Sequence, residues 1–397
     1  MKNLYQILPA SAPDYSGVSS LLFEMDILTV FIDPHGCNGQ TLHFSEPRFQ
    51  NFRYIPKSFS FSVKEIDAIT GVDRLLIQKI QTALTYLSAK AIVLVGAPVP
   101  TVISTDFRAL EEMVEDATGL PTLSVTTNGL HDYEDGQKKL FQRLIEKFAG
   151  SGMFPDTPKY DVHILGATPL DNRDDTAICD YIDFLKKCGA ESVTCWGHGG
   201  DLEAICNADK AKLFISVSAA GTFAAKLLSQ KYSIPYIVGF PVGIKTTERF
   251  KYHLESFFRT GDSSILTDLQ IEPSISTAQG RILIIADQVN GNALRPCLRQ
   301  EFGYQTVHIV SYFSIDPDYA EKDDRTLSDE SSLIDYYTEY GPYDFVIGDP
   351  IYKDLLPPDC VYLPNPHLAL SGILYWDDCT NYFAEKGTEF LHQLLSL

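Results

Sequence analysis

Closely spaced cysteines are missing from this sequence. Its eight cysteines, Cys37, Cys179, Cys188, Cys195, Cys206, Cys297, Cys360 and Cys379, are scattered, and none forms a C-x-x-C pair. That excludes zinc ribbons, thioredoxin-like redox motifs and ferredoxin-type cluster runs, which all need neighbouring thiols. Free thiols in a reducing cytosol are the expectation for such a chain. Long apolar runs are missing too. The longest, such as Ala91–Val99, are strand-sized and far short of the roughly 20 residues that span a bilayer. Met1 to Gly17 lacks a basic stretch followed by an apolar one, so no secretory signal is expected and the expected location is cytoplasmic. Positive charge is scarce: 32 Lys and Arg stand against 52 Asp and Glu, a formal net charge of −20. Nucleic acids and anionic membrane surfaces are therefore poor partners, because both are held by clustered basic side chains. The acidity serves solubility, or it complements a basic partner protein. There is no Walker A loop, H-E-x-x-H helix, nucleophile elbow or kinase signature.

What is present is alternation. Short continuous apolar runs bounded by Gly, Pro or Asp read as strands buried on both faces of a parallel sheet. They occur at Ile27–Ile32, Ala91–Val95, Thr122–Val125, Val162–Leu165, Val193–Trp196, Leu213–Val217, Tyr236–Val238, Ile282–Ile285, Val307–Val310 and Phe345–Ile347. Helical periodicity separates them at Asp73–Ala89, Phe107–Thr118, Gly136–Phe148, Ala177–Cys188, Thr222–Lys231 and Asn292–Phe302. A length of 397 residues exceeds one ordinary core and predicts several domains. Two breaks suggest where they meet: the Gly- and Pro-rich Gly150–Lys159 and the polar Ser263–Gly280. After each, a strand ending at a polar turn restarts the pattern, as Tyr160–Gly166 and as Gly280–Asp287. Three doubly wound modules follow, with ligands expected at the carboxyl ends of strands.

The candidate chemistry lies at those strand ends. Asp33-Pro34-His35-Gly36-Cys37 follows the first strand directly. A Cys on a strand-to-helix turn can be a small buried residue, a metal ligand or a nucleophile, since unpaired N–H groups there favour a thiolate. Gly96-Ala97-Pro98-Val99-Pro100 leads through Ser104-Thr105-Asp106 into a helix, with Ser104 or Thr105 the expected cap. Gly197-His198-Gly199-Gly200 reads as an anion-binding nest or as a flexible turn. Ser216-Val217-Ser218-Ala219-Ala220-Gly221-Thr222 offers hydroxyls for a pocket floor or for capping. Asp287-Gln288-Val289-Asn290 can orient a polar ligand or cap a helix. Asp349 and His367 follow the last strand, and a lone His of this kind is commonly structural.

In this order the segments resemble subunits of nitrogenase component 1, including its chlorophyllide-reductase-like and cofactor-scaffold relatives. Pro13-Asp14-Tyr15-Ser16-Gly17 with Asp33–Cys37 is similar to that family's N-terminal pair of cluster-binding turns. Val93–Asp106, followed by Leu120–Gly129, is similar to its third cluster turn and next strand. Asp161–Pro169 with Ala211–Gly243 is similar to its second domain, and Gly280–Arg295 with Tyr343–Tyr352 to its third. The resemblance implies an α/β fold of three Rossmann-like, mainly parallel domains around a central cleft. They would span 1–155, completed by 366–397, then 156–272 and 273–365. It implies pairing, as a homo-oligomer or as a heteromer with a related nitrogenase-like subunit. It also implies a separate iron–sulfur ATPase as electron donor, a small-molecule substrate and an iron–sulfur cluster at the subunit interface.

The departures bear on function. Cys37 fits the family's second cluster cysteine, but the first falls near Ser11 or Ala12 and the third near Ala97. The cofactor-binding cysteine of nitrogenase falls near Val217, between Ser216 and Ser218, and its histidine in the region of His367. Thiolates are the usual cluster ligands, so Cys37 would need most of its fellow ligands from a partner. The sequence thus leads to a subunit of a nitrogenase-like reductase complex. Cys37 would be the metal ligand, and Ala97, His198, Ser216, Ser218, Gly221, Gln288 and His367 would bind cofactor or substrate. The alternative is a non-catalytic scaffold or binding protein for a metallocluster, a tetrapyrrole or another small ligand.

Overall fold

The structure, a computed structural model, describes residues 12–33, 46–50, 57–64, 66, 71–96, 105–154, 158–171, 175–269 and 280–395. The chain forms two compact units. One holds Ala12–Lys159 with Cys195–Lys210, the other Tyr160–Thr194 with Ala211–Leu397. The strands are β1 (Ile27–Asp33), β2 (Ser58–Ser62), β3 (Ala91–Gly96), β4 (Thr122–Thr126), β5 (Val162–Leu165), β6 (Val193–Trp196), β7 (Leu213–Ser216), β8 (Tyr236–Val238), β9 (Arg281–Ile285), β10 (Thr306–Ser311), β11 (Arg325–Thr326), β12 (Phe345–Gly348) and β13 (Tyr362–Pro364).

In the first unit the sheet order is β2-β1-β3-β4, and every pairing is parallel. All residues of β1 and β3 are buried, which is why they read as unbroken apolar runs. Helix Asp73–Leu84 turns Leu76 and Ile80, one helical turn apart, onto Val30, Leu94 and Phe61. Helix Phe107–Thr118 is capped by Asp106, whose carboxylate accepts from Arg108 N and Ala109 N, rather than by Ser104 or Thr105. The buried Glu111 carboxylate is held by Ser124 N and by both of its oxygens to Arg143 Nη2, each at 2.8 Å.

The Asp14-Tyr15-Ser16-Gly17 motif has a mechanical explanation. Helix Asp14–Leu22 crosses helix Tyr133–Lys147 so closely that a Cβ on Gly17 would lie 2.0 Å from Tyr133 O, and one on Gly136 would lie 1.9 Å from Asp14 O. Only residues without a side chain fit at both points. Asp14 itself is fully buried, and its carboxylate accepts from the N–H groups of Tyr15, Asn128 and Gly129, each at 2.9 Å. The acid thus fixes the loop 128–129 to the start of the helix.

The second unit contains the sheet β11-β10-β9-β12-β13 and, of the sheet β6-β5-β7-β8, all but the end of the edge strand β6, which runs across the unit boundary at Thr194. The pairings β5–β7, β7–β8, β9–β10, β9–β12, β10–β11 and β12–β13 are all parallel. Helix Gln288–Gln300 begins four residues before its expected start because Asp287 caps it through Val289 N and Asn290 N. Residues of the C-terminal segment tie down this unit. Thr388 Oγ1 donates to Glu301 at 2.6 Å, and the His392 ring meets Phe302 at 4.8 Å. Among the described residues no helix is long and apolar enough to cross a membrane.

Candidate functional site

Three strand ends in the second unit converge on one buried polar centre. After β9 comes Asp287, fully buried, whose Oδ1 accepts from the N–H groups of Val289 and Asn290 at 3.0 Å each. Its Oδ2 accepts from Asn290 Nδ2 at 2.6 Å and lies 3.3 Å from His367 Nε2. After β12 comes Asp349, also fully buried, which accepts from His367 N at 2.8 Å and from Ile351 N at 3.0 Å. After β5 comes the turn that ends in Asp171, whose carbonyl accepts from Asn290 Nδ2 at 3.3 Å. Tyr382 donates its hydroxyl to Asn290 Oδ1 at 2.6 Å, and the His367 ring packs 5.4 Å from that of Phe313.

The electrostatics of this centre favour a charged pair. Burial alone would push the His367 pKa down, but Asp287, Asp171 and Asp349 outweigh it and hold the imidazole above its ordinary value. Burial alone would raise Asp287, but His367 and the Asn290 donors hold it below the ordinary carboxylate value. Asp349 has only weak compensation for its burial and is raised. The shifts thus run in opposite directions for the imidazole and the Asp287 carboxylate, each favouring its charged form, while that of Asp349 favours the neutral form.

The residues expected from the sequence are placed as follows. His367 lies in this centre. Gln288 adjoins it, but its side-chain amide is used on both sides, donating to Asp316 O at 2.9 Å and accepting from Asp316 N at 2.8 Å. It pins the loop after β10. Ser216, Ser218 and Gly221 gather at the end of β7. Ser216 Oγ donates to Ser218 O at 2.8 Å and meets Thr222 Oγ1 at 2.9 Å, while Ser218 Oγ accepts from Gly221 N and caps helix Ala219–Tyr232. A Cβ on Gly221 would lie 2.1 Å from Leu165 O, so this glycine lets the helix approach β5. The turn after β5 joins the two clusters. Gly166 packs on Ser218 and Gly221, and Asp171 reaches Asn290.

His198 lies in the first unit. The nest expected at Gly197–Gly200 is filled by the protein itself: Gly199 N donates to the Glu24 carboxylate, and His198 Nδ1 lies 3.9 Å from the same oxygen. Arg48 completes this network by donating to Gly197 O at 2.7 Å and to both oxygens of Glu46. Cys37 and Ala97 lie outside the described residues. The sequence reading missed Asp171 and Tyr382. Asp171 sits at a strand-end turn, which was a usable signal. Tyr382 follows no strand end, and nothing local marks it.

Comparison with known proteins places this geometry in context. The family model described as nitrogenase component 1 type oxidoreductase matches residues 14–349. The chain belongs to that family. Among curated relatives it is similar to the nitrogenase iron-molybdenum cofactor biosynthesis protein NifE of Clostridium pasteurianum, 26% identical over 54% of this chain and 46% of that protein. It is also similar to the NifE protein of Methanococcus maripaludis, 20% identical over 70% of this chain and 58% of that protein. The chain thus spans about half the length of the curated relatives it matches. The solved structure described as nitrogenase Cp1 at pH 5 superposes with a TM-score of 0.67, at 15% identity, over 100% of this chain and 90% of that one. The structure of the same protein at pH 6.5 gives 0.69 at 14% identity. These structures support the fold: an α/β protein of Rossmann-like parallel sheets.

Members of the family bind metal clusters and form heteromeric complexes with related subunits. The described residues at the end of β7 do not fit a cluster held by a thiolate. The side chains there are hydroxyls already engaged in capping, and the nearby imidazole is paired with Asp287. Among the described residues no group of three or more His, Cys, Asp or Glu is arranged to hold a metal ion.

Proposed function

We propose that this chain is one subunit of a nitrogenase-like reductase complex. In this reading it pairs with a related subunit and receives low-potential electrons from an iron–sulfur ATPase. Cys37 supplies one thiolate to an iron–sulfur cluster at the interface, and the partner supplies most of the other ligands. The two sheets of the second unit are then the cores of separate Rossmann-like domains, near 156–272 and 273–365. The observation that carries the reading is the buried Asp287–His367 pair, which follows the ends of β9 and β13, in a component 1 type fold. A buried ion pair is commonly less favourable for stability than an apolar packing of the same volume. Its retention at strand ends suits a site that must supply protons as well as electrons.

A second reading is a scaffold or binding protein for a metallocluster, a tetrapyrrole or another small ligand. It is favoured by the hydroxyls Ser216 and Ser218 where a thiolate would be needed. The names of the curated relatives, which are cofactor biosynthesis proteins, favour it too. Anaerobic purification with the partner, followed by iron and acid-labile sulfide analysis of wild type and Cys37→Ala, separates the two. Iron and sulfide that are lost in the variant support the reductase subunit. A complex that lacks iron, or keeps its cluster in Cys37→Ala, overturns it and leaves the binding role.

A further inference from the structure

A cavity in the second unit has no role in the function proposed above. It measures about 370 Å³, within the size range of small-molecule sites. Its walls are the end of β8 with the following loop to Phe240, helix Ile244–Thr260, helix Gln288–Gln300 and the loop Asp318–Glu321. All of these belong to the second unit.

The lining combines an apolar body with polar groups that lack partners. Phe240, Phe250 and Val289 supply apolar surface. Thr246 is 7% exposed and Arg295 3%; Thr246 Oγ1 and Arg295 Nε are both buried without a hydrogen-bond partner. Buried polar atoms are nearly always paired, so two orphans on residues that line one cavity call for an explanation, although neither atom opens onto it as the side chains stand. Arg295 is otherwise tied down, through Nη2 to Asp324 at 2.7 Å and through Nη1 to Glu321 at 3.0 Å. The Thr246 hydroxyl needs only one rotation about χ1 to serve a ligand. Next to Arg295, Pro296 stands inside the same helix, Gln288–Gln300. Proline has no N–H, so the carbonyl four residues earlier, that of Asn292, loses its helical donor. Asn292 and Pro296 both line the cavity.

We infer that this cavity is a binding site for a small organic molecule that carries both an acceptor and a donor around an apolar body. The acceptor, a carboxylate or other anionic group, lies toward Thr246, Arg295 and the half-buried Arg249. The donor lies toward the Asn292 carbonyl, and the apolar body lies against Phe240 and Phe250.

The test is a fluorescence titration of the full chain with anilinonaphthalene sulfonate, which offers an anionic group, an amine and an aromatic body. Wild type is compared with Ala320→Trp, which fills the cavity from its half-buried rim, and with Arg249→Gln and Arg249→Lys. Near-ultraviolet circular dichroism checks that each variant keeps its packing. Saturable binding of one equivalent, weakened about 10-fold or more by Ala320→Trp, supports the site. So does weakening by Arg249→Gln that Arg249→Lys restores. Titrations that superimpose for wild type and all folded variants, or no enhancement at all, would show an ordinary water-filled crevice and overturn the proposal. If Ala320→Trp does not fold, the Arg249 pair decides. Neither result depends on iron content, so this outcome is separable from that of the Cys37 experiment.

Discussion

Replacing His367 by Gln should loosen the second unit in a pH-dependent manner. Asp287 is fully buried and His367 is 6% exposed, so the substitution leaves a carboxylate in the core without its cation. Breaking a buried pair in this way typically costs about 3–5 kcal/mol. Asp287 keeps the donors Val289 N, Asn290 N and Asn290 Nδ2, which places the expected loss at the lower end, about 3 kcal/mol. The sign follows from the two titrations. His367 is held above its ordinary 6.5, so its contribution is complete below that value and fades as pH rises through the raised one. Asp287 is held below its ordinary 3.8, so its contribution is complete above that value and fades only on acidification through the lowered one. Both act fully at about pH 6. Hydrogen exchange of peptides covering β9 and β12 reads the local stability directly. The variant should exchange about 100-fold faster than wild type at about pH 6, and the ratio should shrink as pH rises through the raised His367 value. A ratio that does not fall with rising pH, or no acceleration at about pH 6, would refute the charged pair.

Three further outcomes are expected. Gly136→Ala should destabilise the first unit by about 3 kcal/mol or more, because a Cβ 1.9 Å from Asp14 O forces two helices apart; a thermal melt reads it, and an unchanged midpoint would mean the helices do not cross so closely. Ser218→Ala should cost about 1 kcal/mol by removing the cap from helix Ala219–Tyr232, whereas Ser218→Asp should retain most of that stability. In urea denaturation Arg143→Met should cost more than Arg108→Met. Arg143 holds the buried Glu111 by both oxygens, while the Arg108 side chain is 73% exposed and only 3.9 Å from the same acid.

The sequence alone determined the layered architecture. Runs such as Ala91–Gly96 and Arg281–Ile285 are apolar without alternation because parallel strands are covered on both faces, and that pattern is local. Three edge strands escaped it. β2 reads Ser-Phe-Ser-Phe-Ser, β11 is two exposed residues and β13 is three; their place comes from pairing with a neighbour, not from their own composition. One helix start shifted, to Gln288, because Asp287 caps it, whereas at Phe107 only the capping residue differed, Asp106 in place of Ser104 or Thr105. The ordered motifs also carried the family, because a set of strand-end turns in a fixed order survives when individual ligands are replaced.

The tertiary structure shows which partners the described candidates have. Ser216 and Ser218, read from the sequence either as a pocket floor or as capping, are bonded into a helix start. The Gly197–Gly200 nest is filled by Glu24, a carboxylate 173 or more positions earlier in the chain, as the Gly199–Glu24 separation of 175 residues shows. Asp171, Asp287, Asp349, His367 and Tyr382 meet only because three strand ends of two sheets and a C-terminal segment fold together. Local patterns of apolar residues record which faces are buried, since burial acts on each residue in turn. Charge pairing and capping act between residues remote in sequence, so only the assembled fold decides them.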